Sequence, residues 1–245
     1  MLALGLTSVP FFGSLSNEIK IASIKLPEIN SNSPLILSPE NDKFTSCCGG
    51  GSGPDGSNEP QPIINTLDTK KSPYIVENAD VQHIQLQNAD LTESKITNSD
   101  FSNANLRKAK FSNAFVIYSS FIRVNFKDAD FSGSKFFGSD LTKANFSGAK
   151  LRRANFAHSD FDNALLNDAD LTDSNLSDAR LRSVKGLTYD QLSKAVINEH
   201  TSLPVKMESQ KADLLNLSRQ RAKELKKEMT AEEQNLFFND FDFLD

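Results

Sequence analysis

The chain has 245 residues, 38% hydrophobic and 24% charged, with 27 basic and 32 acidic side chains and a formal net charge of −5. A mean hydropathy of −0.41 without any long apolar run excludes a polytopic membrane protein, and the acidic balance excludes a basic nucleic-acid binder. The aromatic content is lopsided, with 18 Phe against 3 Tyr and no Trp.

Residues 1–73 differ in kind from the rest of the chain. Residues 1–12 are apolar, but no basic residue precedes them, the first being Lys20, so no signal peptide of the usual form is read. The stretch to residue 40 is rich in Ser and Asn and leaves room for a strand or helix between Ile19 and Leu37. Residues 49–62, Gly-Gly-Gly-Ser-Gly-Pro-Asp-Gly-Ser-Asn-Glu-Pro-Gln-Pro, have the composition of a flexible linker. The only cysteines, Cys47 and Cys48, are adjacent, so neither a disulfide framework nor a CxxC pair is available. Segment 1–73 is therefore expected to be a leader with little fixed structure before residue 70.

Residues 74–183 carry a repeat. From Val76, every fifth residue to Leu181 is large and apolar, 22 positions without a slip. The residue two places earlier is Ala at 12 of these sites and Ser at 7, with only Tyr74, Ile84 and Val124 departing. The residue just before the apolar one is Asp or Asn at 12 sites. Period five fits neither a helix nor a flat strand, and suits a chain that bends at every fifth residue. The large residue and the small one then point inward, and the other three point to water. Asp and Asn suit the bend because their side chains accept hydrogen bonds from nearby backbone amides.

Units such as Ala89-Asp90-Leu91-Thr92-Glu93 and Ala144-Asn145-Phe146-Ser147-Gly148 resemble the motif of the pentapeptide-repeat family. The resemblance implies an all-β repeat fold, a right-handed four-sided parallel β-helix with four pentapeptides to a coil. A twenty-residue coil brings equivalent inward residues into stacks, so that Phe111 meets Phe131 and Phe126 meets Phe146. About five and a half coils at ~4.8 Å give a solenoid of roughly 25 Å.

The open end of such a solenoid needs a cap. In segment 184–206, Thr188-Tyr-Asp-Gln191 reads as a capping box opening a short helix through about Asn198. In segment 207–245, residues 207–229 read as a charged helix with a solvated face, and Thr230-Ala-Glu-Glu233 as another capping box. The chain then ends in an acidic, aromatic tail from Asn235, read either as a disordered end whose candidate partner-binding anchors are Leu236, Phe237, Phe238 and Phe241, or as a segment whose Phe pack back on Phe115 and Phe137 of the repeat.

No catalytic constellation is found. His83, His158 and His200 lie far apart without ligand spacing, so no metal site, cofactor or enzymatic activity is expected. Function is expected on the outward surface. There Phe115, Ile117, Tyr118 and Phe137 gather by phase into one apolar patch, a candidate partner or homodimer site unless a terminal segment covers it. A basic group, Arg107, Lys108, Lys110 and Lys127 with Lys150, Arg152 and Arg153 adjoining, is diluted by acidic neighbours and is read mainly as a solvated face, with peripheral membrane contact as the other reading.

Two functional readings come from resemblance. Some pentapeptide-repeat proteins bind DNA gyrase as acidic mimics of DNA, but residues 74–183 hold 13 basic and 14 acidic side chains, a net of −1. The favoured reading rests on the Ser/Asn-rich leader, on Phe44-Thr45-Ser46-Cys47-Cys48-Gly49-Gly50 and on Leu236-Phe-Phe-Asn-Asp-Phe241. These resemble features of the PipB type of pentapeptide-repeat effectors, exported by type III secretion into host cells. One such effector recruits a kinesin-type motor through a C-terminal Leu-Phe-Asn-Glu-Phe. The resemblance implies a secreted, non-enzymatic adaptor with a host protein partner and, at Cys47 and Cys48, a possible lipid attachment site.

Overall fold

A computed structural model describes residues 36–37 and 73–238. The two-residue strand β1 (Ile36–Leu37) lies within the stretch where the sequence left room for one, and pairs in parallel with β2 (Ile75–Glu77). Strands β3 (Lys95–Thr97), β4 (Phe115–Ile117) and β5 (Lys135–Phe137) come next in order, each twenty residues on and parallel to the last. The other three sides are joined by single bridges at the same spacing, such as Asp80 to Asp100, Gln85 to Asn105 and Asp90 to Lys110. The result is a four-sided parallel β-helix.

The bend has two parts. At all 12 sites where Asp or Asn precedes the large residue, its Oδ1 accepts the backbone amide two residues on, as from Asp100 to Ser102 at 2.8 Å. The second part was not read from the sequence. The residue two after each large one adopts a left-handed conformation at every step from Asn78 to Asp178, with φ between 48° and 69°. Asn, Asp or Gly fill most of these corners because they tolerate that conformation best. On three sides the corner closes with an amide-to-carbonyl bond across the turn, as from Ala104 to Phe101 at 2.9 Å. On the strand-bearing side the turn is wider in the first four coils, and the across-turn bond forms only at Ser159 and Ala179. There Ser99, Ser119 and Ser159 accept the amides of Ala79, Ser99 and Ser139 one coil earlier, which explains why Ser replaces Ala in that column.

Inside, every large position from Val76 to Leu181 is buried, and so is every small one except the half-buried Ala79. The rings stack coil on coil. Phe101 lies 5.1 Å from Phe121, Phe111 5.0 Å from Phe131, and Phe126 5.0 Å from Phe146, the Phe111–Phe131 pair nearly parallel at 2°. Each such pair adds about 0.5–1.5 kcal/mol beyond the burial of its area.

The cap differs from expectation in its extent. Helix α1 (Tyr189–Ser193) opens with the capping box of Thr188 and Gln191 but stops at Ser193, short of Asn198. Val196 and Ser202 instead continue the parallel ladder against Asn175 and Arg180. The last coil still offers unpaired backbone groups, and meeting them outweighs extending a short helix. A 3-10 turn (Val205–Gln210) leads into α2 (Lys211–Glu228), and α3 (Ala231–Phe238) closes the described chain.

Helix α2 is clamped rather than merely solvated. The Ser218 hydroxyl accepts the Ile197 amide at 2.8 Å and donates to the Ile197 carbonyl at 2.7 Å. Arg221 pairs with the buried Asp173, and Arg153 with Glu228. Residues 231–238 are helical, which corrects the reading of a disordered end over that stretch. The Thr230 and Glu233 capping box nucleates the turn, and the two Phe at its end find apolar cover.

Candidate interaction surface

The strand-bearing side carries two outward columns. The first runs Ile75, Lys95, Phe115, Lys135, Asn155, Asn175, and the second runs Glu77, Thr97, Ile117, Phe137, Ala157, Ser177. The repeat aims all of these outward, yet Asn155, Ala157, Asn175 and Ser177 are buried. The reason is α3. Asn175 Nδ2 donates to the Phe237 carbonyl at 2.7 Å, and Asn155 Nδ2 donates to the Leu236 carbonyl at 3.2 Å. These bonds cap carbonyls that the helix C-terminus leaves open. Phe237 and Phe238 are buried with Val196, Ala222 and Leu225, and Met229 packs alongside. Lys226 Nζ stands 5.2 Å from the Phe238 ring centre.

The expected patch lies further along the same side. Phe115 points outward but is buried, with Lys135 Nζ 5.5 Å from its ring centre. Ile117 and Phe137 are half-buried, and Tyr118 is 43% exposed. Phe137 bridges Tyr118 and His158 with edge-to-face contacts at 6.0 and 5.1 Å. Gly138 leaves room for this, since a Cβ there would meet the Tyr118 ring at 2.7 Å. Burial pushes the Lys135 ammonium below the usual lysine range, and the Glu233 charge partly opposes it.

The structure thus brings Phe115, Ile117, Tyr118 and Phe137 together, and seats Leu236, Phe237 and Phe238 in α3 on the same side. Leu236 is half-buried. Phe241, Cys47, Cys48 and the run 44–50 lie outside the described residues. What sequence reasoning missed is the pair Asn155 and Asn175. Their only signal was the choice of Asn over Asp at a position where either completes the bend.

The basic group is largely neutralised. Lys110 pairs with Asp90 at 3.4 Å, Lys150 with Asp130 at 3.8 Å and Arg107 with Asp128 at 3.5 Å. Along one column the signs alternate as Asp90, Lys110, Asp130, Lys150, Asp170. The Asp130 carboxyl lies below its ordinary range. Burial, the largest single influence, pulls upward, but the Ser132 hydroxyl and amide and the Lys150 charge together outweigh it. Among the described residues no cluster of His, Cys, Asp or Glu could hold a metal ion, and no helix is long and apolar enough to cross a membrane.

The Pentapeptide repeats family matches residues 84–117, 119–156 and 149–185, in 8 copies. Residues 84–185 are pentapeptide repeats. No curated protein sequence matches the chain. Among solved structures, a trypsin-treated form of QnrB1, a plasmid-mediated fluoroquinolone resistance protein, is 14% identical with a TM-score of 0.36, the match spanning 58% of this chain and 89% of that one. The pentapeptide repeat protein Rfr23 from the cyanobacterium Cyanothece is 18% identical at a TM-score of 0.25, over 56% of this chain and 92% of that one. HetL from the cyanobacterium Nostoc, involved in heterocyst differentiation regulation, is 24% identical at 0.20, over 54% and 73%. None of the three is similar enough to carry a function to this chain.

Proposed function

We propose that the protein is a non-enzymatic interaction scaffold, a secreted bacterial effector or adaptor that recruits a host protein. Recruitment uses the strand-bearing side of the solenoid and the C-terminal residues. One observation carries the reading. The apolar residues that the repeat does not need, Phe115, Ile117, Tyr118 and Phe137, share a side of the solenoid with the C-terminal Phe237 and Phe238. A kinesin-type motor complex is the partner suggested by the resemblance of Leu236-Phe-Phe-Asn-Asp-Phe241. Use of Phe237 and Phe238 as anchors requires α3 to undock. Delivery to the host cytoplasm or a host membrane surface, lipid attachment at Cys47 or Cys48, and homodimerisation belong to the same proposal.

The rival, a gyrase-binding mimic of DNA, needs acidic charge running along the solenoid. The alternation from Asp90 to Asp170 weighs against it, and a gyrase supercoiling assay tests it directly. The scaffold reading is tested by capture from host-cell lysate with the full chain and with a chain ending at Phe238. It expects a captured protein that is lost on removal of residues 239–245. Identical captured sets from the two chains would sink the tail's role.

A further inference from the structure

Among the described residues, α3 covers only the far half of the side that holds it. In the last two coils, α3 is hydrogen-bonded to Asn155 and Asn175, and Ala157 and Ser177 beside them are buried. One and two coils earlier, the equivalent positions are Lys135, Phe137, Phe115 and Ile117. The uncovered half is therefore more apolar than the half that already binds a helix. Tyr118 stands 43% exposed at its edge, and Ile117 and Phe137 keep part of their surface open.

Lys135 is the second observation. It is half-buried at the junction of the covered and uncovered halves, and its ammonium lies over the Phe115 ring. It forms no salt bridge among the described residues; Glu233, in the first turn of α3, supplies the opposing charge felt there. By contrast Lys95, two column positions earlier, is already paired with Glu77 at 2.6 Å. A partly desolvated cation beside an apolar strip suits a carboxylate arriving together with an apolar surface.

Size selects the occupant. A few half-buried side chains fall far short of the ~800 Å² per partner of a standard stable interface. They match the footprint of one helix laid in a groove, read by anchors on a single face. We propose that the uncovered half is a docking surface for an amphipathic helix of the partner protein, seated in line with α3. Its apolar face packs on Ile117, Tyr118 and Phe137, and one of its carboxylates reaches Lys135. This rests on the scaffold reading and names the class of segment the scaffold takes.

The test uses the full chain and a fluorescein-labelled synthetic peptide, two copies of the heptad Glu-Ile-Leu-Glu-Ala-Leu-Phe. The comparison peptide has Lys in place of every Glu, and binding is read by fluorescence anisotropy. The acidic peptide binds saturably, and the basic one at least about tenfold more weakly. Phe137→Glu weakens binding about tenfold or more, as loss of a central anchor does. Lys135→Gln weakens it less, and Ile122→Glu on the neighbouring side leaves it unchanged. Melting temperatures of all variants confirm that they fold. Equal binding of the two peptides, or indifference to Phe137→Glu, overturns the proposal. So does binding that appears only once residues 239–245 are removed, which would make the chain's own end the occupant. Lysate capture through residues 239–245, measured with the unsubstituted chain, reads the scaffold proposal separately. Capture that persists while the peptide fails overturns this docking surface alone.

Discussion

Asn175 joins the solenoid to its last helix with one side chain. Its Oδ1 accepts the Ser177 amide at 3.1 Å, closing the bend, while its Nδ2 donates to the Phe237 carbonyl at 2.7 Å. Aspartate serves the first bond equally well and cannot serve the second. Asn175→Asp is therefore expected to leave the solenoid intact and loosen α3, at a cost of about 1–3 kcal/mol, because the Phe237 carbonyl keeps only the 3.4 Å bond from Asn155 Nδ2 and faces a carboxylate. Limited proteolysis between residues 229 and 238 reads the loosening. Asn125→Asp, at a half-exposed position on the opposite side of the coil, is the control; it loses only the 3.3 Å bond to Asn105 and is expected to leave α3 in place.

The ring stacks set the stability of the solenoid. Phe126 is fully buried, 5.0 Å from both Phe146 and Phe131. Phe126→Ala is expected to cost about 3–5 kcal/mol. Thermal or denaturant unfolding checks it, and an unchanged midpoint would contradict the stack.

Gly138 holds a left-handed corner at φ 60°, and a Cβ there would meet the Tyr118 ring at 2.7 Å. Gly138→Ala carries two costs, about 1–2 kcal/mol for the left-handed conformation and a further steric one. The double variant with Tyr118→Ala is expected to recover only the steric part. Additive losses in the double-mutant cycle would argue that the ring does not lie over Gly138.

The period-five register made the coil, the stacks and the shared outward side of Phe115, Ile117, Tyr118 and Phe137 legible in the sequence, because one inward phase dictates which side chains meet twenty residues apart; the burial of Phe115 was not legible. The capping boxes at Thr188 and Thr230 were legible for the same local reason. The seat of α3 was not. It depends on Asn155 and Asn175 acting as donors to a segment more than sixty residues away, and the five-residue motif treats Asn and Asp alike. For the same reason the sequence left open whether Phe237 and Phe238 form a free tail or pack back on the solenoid, and did not show where they would seat. The left-handed corners were partly visible as Asn, Asp and Gly two places after each large residue, a bias hidden by exceptions such as Arg123 and Lys143.

Asp160 gives the pH dependence a distinctive sign. Burial raises its carboxyl above the ordinary value, and the Asp162 and Asp140 charges add to this, while the Asp162 amide and Arg180 oppose. The folded state therefore binds the proton more readily than the unfolded chain does. The contribution of Asp160 to stability is full below the ordinary carboxylate range and is lost as pH rises through the raised value. Asp90, Asp130 and Asp170 are lowered and behave oppositely, losing their contribution as pH falls. Asp160→Asn, which keeps the acceptor for the Asp162 amide, is expected to raise the melting temperature at pH 7.5 relative to wild type, with the gain shrinking towards pH 4. A gain that grows on acidification would contradict the assignment.

The central claim is that protein recognition lies on the strand-bearing side, where apolar residues depart from the repeat. Its most direct measurement is quantitative capture from host-cell lysate by three chains, the wild type, Phe137→Glu with Ile117→Glu, and Thr142→Glu with Lys143→Glu on the neighbouring side. The account predicts that the first pair abolishes enrichment of the captured protein while melting stays within about 2 °C, and that the second pair leaves it unchanged. Equal enrichment by all three chains would contradict it.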